Sequence, residues 1–286
     1  GGISIIDGGE TKGSLSGLSG AVCAVSAADS TITIDGAVLM SGSGAAVNAD
    51  AGSSNVAINI TGGAYVAGIN DQAASSMINI QADENTAPII AASAQGDALY
   101  TENGSVNING GELAAQRAIY LGTGASAEIT DGSISGTIYM TGATLNISGG
   151  EFVSDGYVID MTSGCALDIS GGSFRNASAG AYPVINMFDA AMQSEVVNTI
   201  DISDGTFEIV NNHIIIAAAS AEINISDGIF TSSYSNTGTP EEASAACDSI
   251  IYACDNYTSA LNITGGTFTT SDGGSVITPG TLGSMT

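Results

Sequence analysis

The sequence predicts an all-β fold: a right-handed parallel β-helix (β-solenoid) of about ten to eleven coils, with three short strands per coil. Three observations carry this prediction. An eight-residue unit, Leu145-Asn146-Ile147-Ser148-Gly149-Gly150-Glu151-Phe152, returns at Leu167–Phe174, Ile200–Phe207, Ile223–Phe230 and Leu261–Phe268, and weaker copies begin at Ile3, Ile32, Ile58, Ile78, Val106 and Ala127. A second short apolar strand precedes most copies. The 286 residues include 39 Gly and 6 Phe but no Trp, which suits a thin, regular core with tight corners.

Each part of the unit has a physical reading. The apolar-polar-apolar triplet is a short strand with one face buried. The Gly-Gly or Asp-Gly that follows supplies a residue able to take positive φ, so the chain turns a corner. The Phe then points inward from the next short strand. The remaining side of the coil is Leu99-Tyr100-Thr101, Ile119-Tyr120-Leu121, Ile138-Tyr139-Met140, Ile159-Asp160-Met161, Ile185-Asn186-Met187, Ile215-Ile216-Ala217 and Ile251-Tyr252-Ala253. A unit this small cannot bury its own apolar face, so successive copies must stack.

The copies begin at residues 3, 32, 58, 78, 106, 127, 145, 167, 200, 223 and 261, so the step varies from 18 (127 to 145) to 38 (223 to 261). Stacked coils tolerate this variation when extra residues loop out at corners. Variable coils and a large Phe in a core column favour the right-handed form. Because the repeat runs from end to end, one domain is expected over residues 1–286, with looped-out excursions near 81–97, 188–199 and 231–249. The second of these has room for a helical turn. The third is rich in Ser and Thr and carries Cys247, which lies seven residues from Cys254 and is a candidate disulfide partner for it. The chain opens at Gly1-Gly2 inside a repeat and reads as a processed form or an excised segment.

Charge narrows the partners. Twenty-nine acidic residues face only Lys12, Arg117 and Arg175, a formal charge of −26. With almost no cations to neutralise phosphates, nucleic acid is excluded as a partner, and an anionic membrane surface is disfavoured. Cations such as Ca²⁺ are compatible with this surface. No run approaches the roughly 18 apolar residues that span a bilayer, so membrane insertion is not expected.

The outward middle position of the anchor strand reads Ser4, Thr33, Asn59, Asn79, Asn107, Glu128, Asn146, Asp168, Asp201, Asn224 and Asn262. Stacked Asn side chains there can hydrogen-bond along the ladder. Asp168 and Asp201 share one column in neighbouring coils, and Asp204 and Asp227 share another. Carboxylates one strand spacing apart repel unless one is protonated or a cation lies between them, so these four are the candidate Ca²⁺ ligands. Tyr100, Tyr120 and Tyr139 occupy an outward position in three consecutive coils. Such a row can stack on sugar rings, line a subunit contact or stack on itself.

Catalysis is not expected, and no catalytic residues are assigned. The single His213 has no nucleophile signature near it in sequence, three basic residues form no cluster, and no Asp-Asp pair occurs. No cofactor is required by any motif.

The Ile-x-Ile-Ser-Gly-Gly-x-Phe units at 145–152, 167–174 and 261–268 resemble those of bacterial surface β-helix proteins. That group includes adhesin stalks and the noncatalytic carbohydrate-binding β-helices related in fold to pectate lyases. The resemblance covers nearly the whole chain and implies an extracellular or cell-surface location. The reading it favours is a structural β-solenoid, a subunit of a fibre, filament or stalk. The alternative is a polysaccharide-binding module using the Tyr column, with or without Ca²⁺. The core columns continue almost to both ends with no cap, and an open end leaves strand N–H and C=O groups unpaired. Copies are therefore expected to join end to end through Gly1, Gly2, Ile3, Ser4, Ile5 and Ile6 on one side and Val276, Ile277 and Thr278 on the other.

Overall fold

The computed structural model describes residues 2–6, 14–17, 22–24, 28–42, 44–92, 96–162, 164–178, 182–188, 196–233, 249–254, 259–270 and 274–279, with side chains described from Ala28 to Thr278. Among these residues every regular element is a β-strand and none is a helix. The chain divides into two units, Gly1–Tyr139 with Ala143–Leu145, and Met140–Gly142 with Asn146–Thr286.

In the first unit the strands pair in parallel with strands one repeat along, in three ladders. The first ladder joins Gly2–Ile6, Ala28–Asp35, Ser54–Thr61, Met77–Gln81 and the opening of Ser105–Leu121. Its register stacks Ile32, Ile58, Ile78 and Val106 in one inward column and Ile34, Ile60, Ile80 and Ile108 in another. All eight are at most 1% exposed, so the apolar-polar-apolar alternation places its apolar face in the core. The second ladder stacks Leu39, Val66, Ile90 and Leu113, and the third stacks Val47, Ile69, Leu99 and Ile119.

The second unit repeats the scheme with different core side chains. Its first ladder carries Leu167, Ile200 and Ile223 beside Ile169, Ile202 and Ile225, all buried, and its third carries Ile159, Ile185, Ile215 and Ile251. Its second ladder aligns Phe152, Phe174, Phe207, Phe230 and Phe268. The rings stack face to face at 4.6, 4.8, 4.8 and 4.7 Å between centroids, within 7° of parallel, because the strand spacing of about 4.8 Å matches a stacked ring separation. The same stack explains the glycine two residues before each Phe. Gly172, Gly205, Gly228 and Gly266 have φ between +100° and +126°. A Cβ there would lie 3.0–3.3 Å from a Phe ring carbon, so the corner needs both the backbone freedom and the missing side chain.

The all-β class, the parallel pairing and the inward Ile and Phe columns agree with the sequence reading. In the last described layer the columns are less covered: Leu261, Ile263 and Phe268 are half-exposed. The excursions are narrower than expected. Ile89–Ala91 lies inside 81–97 yet is a second-ladder strand, paired with Tyr65–Ala67 and with Glu112–Ala114. Its single buried residue, Ile90, is too short an apolar signal to read as a strand beside Pro88. Phe188, Asn198, Thr199, Thr231–Ser233 and Ser249 likewise belong to strands, and residues 189–195 and 234–248 lie outside the described residues.

Candidate functional site

The third ladder of the first unit places Tyr100 beside Tyr120 in register. The rings of Tyr100 and Tyr120 stack at 4.5 Å and 8°, and those of Tyr120 and Tyr139 at 5.4 Å and 15°. Both faces of Tyr120 are therefore covered by its neighbours, so the middle ring offers a ligand only its edge and hydroxyl. Arg117 fixes the row from the side. Its guanidinium carbon lies 4.8 Å from the Tyr120 centroid and 5.8 Å from that of Tyr139. Asp97 holds the guanidinium in a two-pronged ion pair, Nε to Oδ1 at 2.7 Å and an η nitrogen to Oδ2 at 2.8 Å. The Tyr100 hydroxyl donates to Glu102. Burial, then the Glu102 hydrogen bond and charge, push the Tyr100 phenol above its ordinary range, and burial also raises Tyr120.

The register aligns one of the two acidic pairs. Asp168 and Asp201 are register partners, and Asn224 and Asn262 continue the same column. Asn224 donates to Asp201 at 2.9 Å, which leaves the Asp168–Asp201 contact as the like-charged one. A shallow groove of about 160 Å³ runs along this column. Asp204 and Asp227 each accept the N–H of the glycine that follows, Gly205 at 2.7 Å and Gly228 at 2.8 Å. These carboxylates thus act first as corner-formers. Among the described residues no three or more His, Cys, Asp or Glu side chains converge as a metal site.

The first unit treats the same anchor column differently. Asn107 donates to Asn79 at 2.9 Å and Asn79 donates to Asn59 at 2.8 Å, an amide ladder whose middle side chain, Asn79, both gives and accepts.

Of the end residues, Gly1 lies outside the described residues. Gly2–Ile6 is a strand paired with Thr31–Asp35. Val276, Ile277 and Thr278 sit in Ser275–Pro279, which pairs with Ser249–Ala253 in the third ladder; Val276 is 36% exposed. Cys254 is half-buried after Ser249–Ala253, and Cys247 lies outside the described residues. Cys165 is buried, and its N–H donates to Asn198 at 2.9 Å.

Two polar clusters escape sequence reading because their members meet only through stacking. Asp71 is fully buried in the first unit. It accepts from the Ser76 hydroxyl, from the Thr101 hydroxyl at 2.7 Å and from the Ala73 N–H at 3.2 Å. Burial outweighs these donors and raises its carboxyl above the usual range. His213 is buried in the second unit, stacked on Tyr252 at 5.1 Å, with Nδ1 2.7 Å from the Ser249 carbonyl oxygen and 3.1 Å from the Ser249 hydroxyl. A nitrogen facing a carbonyl carries the proton, so this pair has no base to activate the hydroxyl.

No protein-family model matches the chain, and no curated protein and no solved structure matches it.

Proposed function

We propose that the ladders close into a right-handed parallel β-helix and that the chain is an extracellular or cell-surface structural protein, a noncatalytic subunit that builds a fibre or stalk by stacking head to tail. Right-handed connection is the strong preference of parallel strands joined by crossovers. The observation that carries the functional reading is the half-exposure of Leu261, Ile263 and Phe268, in columns whose other members in the second unit are at most 2% exposed. A further layer with the same apolar-polar-apolar face would continue these columns. Gly2–Ile6, with Ile3-Ser4-Ile5, has that pattern.

Ladder membership sharpens the junction. Gly2–Ile6 belongs to the first ladder, so its counterpart on the neighbouring copy is Ser259–Ile263. Val276–Thr278 belongs to the third ladder and would meet Val22–Ala24. Covering an exposed Ile or Phe contributes about 1.5–3 kcal/mol each, and pairing the open strand edges adds hydrogen bonds. Such a contact does not close on itself and propagates as a filament. The −26 charge on each copy opposes stacking, but salt screens charges beyond about 10 Å at 0.1 M, and divalent cations such as Ca²⁺ add to the screening.

The test is deletion of residues 1–6. The intact chain should sediment as polymers whose length grows with concentration and salt, while the deleted form should remain folded and monomeric. A deletion that polymerises as well as the parent would remove the proposed junction.

A further inference from the structure

Arg175 is the only Lys or Arg between residues 140 and 286, a stretch that holds 16 of the 29 Asp and Glu. It is exposed on the outer face of the second ladder, where register aligns Arg175 with Glu208 and Glu208 with Thr231 on three successive layers. These side chains line a groove with a cavity volume of about 400 Å³, walled on its apolar side by Ala177 and Val210. A volume of 300–1,000 Å³ is that of small-molecule sites. Among the described residues the side chains of Arg175 and Glu208 make no hydrogen bond or ion pair, with each other or with any other group. The groove's other polar walls are already engaged: Asn176 bonds Gly156 and Ser178, and Ser233 donates to Ile209.

We propose that this groove binds a free α-amino acid, its carboxylate on Arg175, its ammonium on Glu208 and an apolar side chain along Ala177 and Val210. One exposed cation and one exposed anion at one strand spacing match a ligand that carries both charges on the same carbon. Guanidinium takes a carboxylate through two parallel hydrogen bonds, and a carboxylate accepts from an ammonium. The charge of the whole chain selects between ligand classes. A plain anion is repelled by −26, and a plain cation is drawn to the entire surface without preference for this groove. A ligand with no net charge experiences neither effect, so local complementarity decides where it sits.

The experiment titrates the full chain with L-leucine, with leucinamide (ammonium only) and with 4-methylpentanoate (carboxylate only), following binding by calorimetry and by NMR shifts of residues 175–178 and 208–210. Leucine should bind at least about tenfold more tightly than either analogue, with weak salt dependence. Arg175→Gln and Glu208→Gln should each weaken leucine by about tenfold or more while leaving the circular dichroism and melting temperature unchanged, since both side chains are exposed. Equal binding of leucine and 4-methylpentanoate, unchanged leucine binding in Arg175→Gln, or no leucine binding at millimolar concentration would each overturn the assignment.

Discussion

The two units run aromatic stacks on opposite sides of the same kind of sheet. In the second unit five Phe rings stack inside the core, with the first four fully buried. In the first unit the equivalent inward column is aliphatic, Leu39, Val66, Ile90 and Leu113, and three Tyr rings stack half-buried on an outer face under Arg117. The outward anchor column differs too: amides that hydrogen-bond one another in the first unit, two successive carboxylates, Asp168 and Asp201, within the column in the second. Layer stacking dictates only that equivalent positions fall on one another at one strand spacing. Whether a column stabilises then depends on whether its side chain tolerates a copy of itself as neighbour. Phe, Tyr, Ile and Asn do; Asp does not.

That difference sets the expected order of effects. Phe207 loses two ring contacts and leaves a cavity, so Phe207→Ala should cost about 3–5 kcal/mol in urea unfolding. Tyr120→Ala also interrupts a stack on both faces, but the site is open to water, and about 1–2 kcal/mol is expected. Equal losses at the two positions would mean that ring stacking, and not burial, dominates both. The triple change of Tyr100, Tyr120 and Tyr139 to Ala should lower stability; with both faces of Tyr120 taken by its neighbours, no loss of binding to an insoluble glycan is expected. Loss of binding to an insoluble glycan would revive the sugar-platform reading.

Smaller effects come from the polar columns. Asn79→Asp replaces the donor to Asn59 with a carboxylate facing an amide oxygen and should cost about 1–2 kcal/mol. Asp201→Asn removes a like-charged neighbour from Asp168 and should stabilise by a few tenths of a kcal/mol to about 1 kcal/mol at low salt, fading as salt or Ca²⁺ is added. An increase that persists at high salt would point to a hydrogen-bonding cause instead.

Asp71 gives a pH signature confined to the first unit. Its folded pKa is raised, so the fold favours the neutral acid. Its contribution is fully present below the unfolded value, about 3.9, and is lost as pH rises through the folded value. Asp71→Asn removes this one component, so the stability difference between variant and parent should shift in the variant's favour from acid to neutral pH. A difference that is flat with pH would show that the three donors hold the carboxylate as well as water does.

The ladders were legible because their signal repeats. Ile147, Ile169, Ile202 and Ile225, and the Gly-x-Phe spacing, recur often enough to be read against a variable step. The third ladder was legible for the same reason, down to the triplets at Leu99, Ile119 and Ile159. Ile89–Ala91 was not, because one buried Ile beside Pro88 carries no period. Asp71 with Thr101, and His213 with Ser249, are 30 and 36 residues apart, and only the exact register of the parallel ladders brings each pair together. The Arg175 groove was missed for the opposite reason: its Arg, Glu and Thr share a column but not a residue type, so a search for repeated letters passes over them. The self-stacking of the Tyr row was one of three outcomes consistent with its spacing, and the contact of Arg117 with two of its rings has no counterpart in the repeat.

The most direct test of the head-to-tail account is fibre diffraction from aligned assemblies of the intact chain. If layers continue across each junction, the strand spacing of about 4.7–4.8 Å must appear as a sharp meridional reflection, along the fibre axis and uninterrupted from copy to copy. A chain that stays monomeric at high concentration with or without Ca²⁺, or fibres whose strand reflection lies off the meridian, would contradict it.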